Sequence, residues 1–281
     1  MKALLPIFLA LILPSFLVSC DTKKQSSDDS AEESEVRRLV ELVTDHGSMT
    51  IELYNEPPLH RDNFIKLSEE GMYDSLLFHR VINEFMIQSG DPDSKNAMAG
   101  DTLGNGGLDY KVPAEFNKAL FHKKGVLAAA RDGNPERASS STQFYIVQGK
   151  VFNDSLLDKA EERINGWLGE FYFKQDPKNK SLVDSLQSAI DNENFERYAF
   201  FNDSIRKMAE SYDEFDRYVI PESHREVYRT TGGTPHLDQN YTVYGEVIQG
   251  IEVIDSIASE ETGPFDRPVT DIRIQSVRVV K

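Results

Sequence analysis

Along the chain the rhythm of apolar and polar positions changes repeatedly, and each change predicts a different kind of structure. Residues 3–18 are apolar, interrupted only by prolines and by Ser15, whereas residues 21–35 contain no apolar residue except Ala31. Residues 39–44 and 49–54 are β-rich runs around a polar Asp-His-Gly turn, the pattern of a hairpin. Pro57 and Pro58 open a helical pattern with Phe64, Ile65 and Leu67 on one side and Glu69 and Glu70 on the other; Gly71 ends it. Short strand-like runs follow at 75–82 and 85–88, then a glycine-rich loop over 91–107. Residues 125–130 and 143–147 are again short and mostly apolar, as in buried strands. A strand over 241–248, a helix over 251–258 and a strand over 271–280 close the chain, with a break near Ser276 that fits a bulge. Many short strands and few helices imply a mainly β fold built on an antiparallel barrel.

Between these strands the period changes to that of a helix. Leu157, Ala160, Ile164, Trp167, Leu168 and Phe171 share one face. Leu182, Leu186 and Ile190 share another, and Phe201, Ile205, Met208, Ala209, Tyr212 and Phe215 a third. Asp176-Pro177-Lys178-Asn179 reads as a loop between the first two. The aromatic stripe reads as helix packing rather than a ligand box. Residues 151–230 are therefore expected to form an α-helical insertion, a compact subdomain beside the β part. Its acidic exposed positions point to contacts with unfolded or basic client chains.

Composition narrows the function classes. A hydrophobic content of 39% and a charged content of 28% suit a folded protein. A formal net charge of −16 argues against nucleic acid as a partner, because such binding rests on neutralising phosphates. Six histidines are scattered and there is one cysteine, so no metal, disulfide framework or cofactor is implied. That cysteine follows the apolar leader, in Leu17-Val18-Ser19-Cys20, which resembles the lipobox of bacterial lipoproteins. The resemblance implies a signal peptide over 1–19, a lipid on Cys20, and an exported protein held to a membrane of a bacterial cell envelope, facing the periplasm or the surface. Residues 20–37 then form a flexible acidic tether, since such a stretch cannot offset its ordering entropy by burial.

The chemistry-bearing residues lie in four stretches. Residues 78–91 read Phe-His-Arg-Val-Ile-Asn-Glu-Phe-Met-Ile-Gln-Ser-Gly-Asp; residues 125–131 read Gly-Val-Leu-Ala-Ala-Ala-Arg; residues 141–146 read Ser-Thr-Gln-Phe-Tyr-Ile. His236-Leu237-Asp238 with residues 242–247 completes the set. In this order they resemble the motifs of the cyclophilin-type peptidyl-prolyl cis-trans isomerases, over about residues 39–281 outside the helical block. The resemblance implies a closed eight-stranded antiparallel barrel with capping helices, formed by 38–150 and 231–281. It also implies acceleration of rotation about X-Pro bonds, and hence assistance to the folding of exported proteins. Proline-containing peptides and unfolded clients are the implied partners. The alternatives are a module that binds proline segments, or a chaperone-like scaffold with little turnover.

By the same resemblance Arg80 and Gln88 are catalytic, with Gln88 and Gln143 orienting substrate carbonyls and Arg80. The proline pocket falls on Phe85, Met86, Tyr145 and Leu237, with His79, His236 and Tyr241 around it. Ala130 and Arg131 offer backbone groups to the peptide, and Gly104 and Asn105 form the rim. His236 stands where many eukaryotic cyclophilins have a tryptophan that contacts cyclosporin, and Tyr241 where they have a histidine. Residues 132–140 are longer than the usual connection.

These residue types suit the reaction. A peptide bond resists rotation by about 18–20 kcal/mol because nitrogen shares its lone pair with the carbonyl. At X-Pro the isomers are close in energy yet exchange over tens to hundreds of seconds. No nucleophile or base is needed, only stabilisation of the twisted state, whose prolyl nitrogen becomes a hydrogen-bond acceptor. Arginine offers a permanent charge and a rigid fork of donors. A 10⁵-fold acceleration requires about 7 kcal/mol.

Overall fold

The structure, a computed structural model, describes residues 36–280; the leader, Cys20 and all but the last two residues of the tether lie outside the described residues. Strands β1 (Leu39–Thr44) and β2 (Gly47–Leu53) precede α1 (Pro58–Glu69). Then come β3 (Arg80–Ile82), β4 (Met86–Ser89), β5 (Lys111–Val112), β6 (Val126–Ala129), β7 (Ser139–Ser140) and β8 (Phe144–Val147). Helices α2 (Asp154–Gln175), α3 (Lys180–Asp191), α4 (Phe195–Ala209) and α5 (Glu222–Thr230) follow with no strand between them. The chain ends with β9 (Val243–Gln249), α6 (Glu252–Ala258) and β10 (Ile274–Val279).

Eight strands form one antiparallel sheet in the order β10-β1-β2-β9-β6-β8-β4-β3, while β5 and β7 pair separately. The closed barrel expected from the sequence is instead a curled half-barrel, because the terminal strands β3 and β10 do not pair with each other. Between them runs a bridge from Leu77 to Arg273. Phe78 N–H also donates to Ile272 at 2.9 Å, and Ile274 N–H to Leu76 at 2.8 Å. The strand expected over 75–82 shrinks to three residues; it follows Ser75, whose φ of 71° no strand accommodates. On β10 the register passes from Ser276 opposite Val43 to Ile274 opposite Thr44, so Gln275 bulges beside the residue where the alternation breaks.

The continuously apolar strands are apolar because both faces are buried. Leu127 and Ala129 of β6 and Phe144 and Ile146 of β8 join the main core with Phe64 and Leu67 of α1 and Ile254 and Ile257 of α6. The alternate residues Val126, Ala128, Tyr145 and Val147 join a second cluster with Met86, Leu237 and Val243. Period-two geometry thus assigns one set to the core and the other to the underside of a groove.

Helix α2 starts at Asn153, whose Oδ1 accepts from Leu156 N–H at 2.9 Å. Leu157, Ala160, Ile164 and Leu168 bury against Tyr218, Ile220 and Tyr228. Farther out, Phe173, Leu186, Ile205 and Ala209 form a separate cluster. Of the expected helix faces, Ile190 and Met208 are exposed, and Trp167 turns from its own helices to pack on the groove cluster. The helical segment leaves and returns at one point, where Lys150 and Gly233 exchange two backbone hydrogen bonds. Gly233 has φ +155°, and a Cβ there would collide with the His122 carbonyl. Helix α5 is continuous with the barrel: His224 stacks on Phe121 at 3.8 Å, and Tyr228 meets the same ring edge-on at 5.4 Å. None of these helices is long and apolar enough to cross a membrane.

Candidate active site

The β3–β4 hairpin sets Arg80 directly opposite Gln88, on the lip of a hollow of about 420 Å³. Phe85, Met86, Tyr145 and Leu237 line it with His79, Gly104, Ala130, Arg131 and Tyr241. The Arg80 side chain is 43% exposed, and its Nε donates to Asp266 Oδ2 at 3.4 Å. Its two terminal nitrogens have no partner among the described residues. Sequence reasoning expected the glutamines to orient Arg80, but its partner is Asp266. An exposed pair of this length is worth about 0–1 kcal/mol, so a peptide carbonyl can exchange for it.

Gln143 serves the rim instead. Its Nε2 donates to Gly104 and Gly106 carbonyls at 3.0 and 2.7 Å, and its Oε1 accepts from Gln88 Nε2 at 3.1 Å. The buried Asp91 carboxylate accepts from Gly104 N–H, which fixes the same loop from below. Asn105 lies in a neighbouring hollow that shares Gln88, Gly104, Ala130 and Arg131 with the first. Ala130 already uses its N–H on Gln143 and its carbonyl on Ser140. Among the described residues no backbone partner takes the N–H or carbonyl of Arg131, which leaves both groups open beside the hollow.

The wall opposite Arg80 is rigid. The Tyr145 hydroxyl meets His122 Nε2 at 3.0 Å, and His122 Nδ1 meets Asp238 Oδ1 at 2.8 Å. Asp238, with no exposed surface, also accepts from His122 N–H at 2.9 Å and from the Tyr228 hydroxyl at 2.8 Å. Burial pushes the Tyr145 and Tyr228 hydroxyls well above the usual phenol range, so both stay neutral. Burial also pulls His79 down to about 4, leaving it a neutral wall residue. His236 does not line the hollow. It stacks behind Phe85 at 5.6 Å, likewise lowered to about 4 by burial and by nearby Arg163.

The family model for "Cyclophilin type peptidyl-prolyl cis-trans isomerase/CLD" matches residues 39–279. The chain belongs to this family. A "Putative peptidyl-prolyl cis-trans isomerase" of Staphylococcus saprophyticus is 30% identical over 243 residues, covering 85% of this chain and 90% of that protein. A protein of the same description from Staphylococcus aureus (strain NCTC 8325 / PS 47) is 30% identical over 241 residues, with the same coverage. A solved cyclophilin type peptidyl-prolyl cis-trans isomerase of Cryptosporidium parvum superposes with a TM-score of 0.51 at 17% identity, covering 87% of this chain and 98% of that one. A second structure, determined in the presence of the dipeptide Ala-Pro, gives 0.50. At that identity the solved structures speak for the fold alone. The cyclophilin chain is a peptidyl-prolyl cis-trans isomerase.

In this cyclophilin, sequence reasoning missed three residues of the hollow, Leu103, Phe265 and Asp266. Phe265 and Asp266 sit together at positive φ (62° and 61°) in a turn that hangs over Arg80, with Phe265 77% exposed. Gly263-Pro264 is a local signal, and it marks a turn without saying where the turn points.

Proposed function

We propose that Arg80 carries the isomerisation, with the proline ring held by Phe85, Met86, Tyr145 and Leu237. The supporting observation is the placement of an arginine fork, its terminal nitrogens unpartnered, over an apolar hollow whose far wall is braced by a buried network. A peptide in the hollow covers the half-exposed guanidinium and lowers the local dielectric, which strengthens its attraction to the prolyl nitrogen as conjugation is lost. Gln88 and the Arg131 backbone hold the flanking carbonyls; His79, Tyr241, Gly104, Asn105 and Gln143 shape the channel. Arg80→Ala should lower turnover of a short X-Pro peptide by about 10²–10³-fold, mainly in kcat. Turnover within threefold of the unaltered protein would leave the hollow a binding module.

The working place follows from the leader. We read residues 1–19 as a signal peptide and Cys20 as a lipidated anchor, so that the enzyme acts on exported, unfolded clients at a bacterial envelope membrane. Several acyl chains on one cysteine hold stably where one alone does not. Cys20→Ser should release the protein into the soluble fraction or leave it unprocessed; a membrane-bound variant of normal processed mass would refute the anchor. We further read 151–230 as an insertion into the barrel that adds client contacts.

A further inference from the structure

A second hollow of about 400 Å³ opens between α2 and the loop over residues 131–137. It shares Arg131 and Tyr241 with the proline hollow, so the two hollows adjoin at those side chains. Its walls reverse the charge of the molecule. The acids that border it are already paired: Glu170 with Lys174 at 2.5 Å, and Asp132 with Lys111. Arg131 and Arg137 have no carboxylate partner among the described residues.

Both guanidinium groups are nonetheless held in place by neutral groups. Arg131 donates from Nε to the Asn240 carbonyl at 2.8 Å and from Nη2 to Asn240 Oδ1 at 2.7 Å, with its guanidinium 4.9 Å from the centre of the Tyr241 ring. Arg137 lies between the Phe116 and Phe171 rings, 4.5 and 3.9 Å from their centroids, and donates from Nη1 to the Gln239 carbonyl at 3.1 Å. Its backbone adopts φ 56°, a conformation costly for a non-glycine residue. Partly buried charge without a counter-ion is unfavourable unless something completes it. Aromatic packing, neutral acceptors and an unusual backbone together hold two cations ready on one side of this hollow, next to Trp167.

We propose that this hollow is a second subsite for the client chain whose proline occupies the first, and that it selects an acidic residue there. The inference rests on the isomerase reading of the first hollow. At about 3.3–3.6 Å per extended residue, adjoining hollows are bridged by two to four residues, so the carboxylate lies about that far from the proline. The block's exposed positions are acidic, but the wall it turns to this hollow is not. The net charge of −16 acts at longer range and is screened beyond about 8 Å at physiological salt.

The test uses fluorescein-labelled decapeptides with one proline and paired Glu, Lys or Ser residues two to four positions before or after it. Binding to the full chain is read by anisotropy, and turnover is measured on an uncharged tetrapeptide. The Glu peptide is expected to bind at least tenfold more tightly than the Lys peptide on one flank. Lys174→Glu, on the α2 face, should reduce that ratio below threefold while leaving tetrapeptide turnover unchanged; Arg137→Gln should do the same. Glu and Lys peptides binding within twofold of each other on both flanks would overturn the subsite. Lost tetrapeptide turnover with the Glu preference intact would sink the reading of the first hollow and leave the second standing.

Discussion

The two sides of the proline hollow are built on opposite principles. Arg80 is nearly half exposed and touches one equally exposed carboxylate at 3.4 Å. Tyr145, across the hollow, belongs to a chain of groups sealed from water in which Asp238 accepts three hydrogen bonds. One side can be rearranged at little energetic cost; the other cannot move without stranding a buried charge. The contrast suits a catalyst of bond rotation. On the proposed mechanism the apolar wall holds the ring still, while the cation follows a nitrogen whose geometry changes during the reaction.

Substitutions on each side should separate the two principles. Asp238→Ala strands two His122 donors and the Tyr228 hydroxyl in a dry interior, and should lower unfolding free energy by about 3–5 kcal/mol in urea titration. Arg80→Ala, by comparison, should leave stability within about 0.5 kcal/mol despite its effect on turnover. A small stability loss at Asp238 would end the claim that this wall is the rigid one. Tyr228→Phe removes a single hydrogen bond to a charged group and should cost about 1.5–3 kcal/mol. Because that residue sits on α5, the same measurement reports how firmly the helical block is bolted to the pocket. Asp266→Ala should have the smallest effect, a two- to fivefold fall in kcat/KM as the guanidinium loses its orienting partner. A rise instead would identify Asp266 as a competitor for Arg80.

The sequence is most readable where a local pattern has a local cause. The β1–β2 hairpin, α1 and the bulge beside Ser276 follow from turn residues, proline placement and broken alternation. Arg80, Gln88 and the pocket residues were legible through motif order, and β3 and β4 do set Arg80 opposite Gln88. The failures are non-local. The paired strands β5 and β7 are two residues each, too short for any period. Ser75 at positive φ cut short a run that looked like a strand. Trp167 carried a helix-face signal yet serves the groove, because periodicity tells which residues share a side and not what that side meets. Asp266 and Tyr228 reach the site from 186 and 83 residues beyond Arg80 and Tyr145 respectively, and nothing in their immediate neighbours announces it.

The neck at Lys150 and Gly233 bears on how such a chain is assembled. Strand β9 lies between β2 and β6, and β10 completes β1, so strands from the start of the chain wait for partners from its end. Pairings of such long sequence separation are slow to form, whereas helices rich in near-neighbour contacts form quickly. Once α2 and α5 have met and the two chain segments of the neck have joined, the whole helical excursion counts as a short tether. The entropy of closing a loop grows only with the logarithm of its length, about 0.6 kcal/mol for each doubling. From the viewpoint of β9 searching for β6, the intervening helices then add almost no distance. An isomerase of X-Pro bonds thus carries in its own topology a device that shortens its own search.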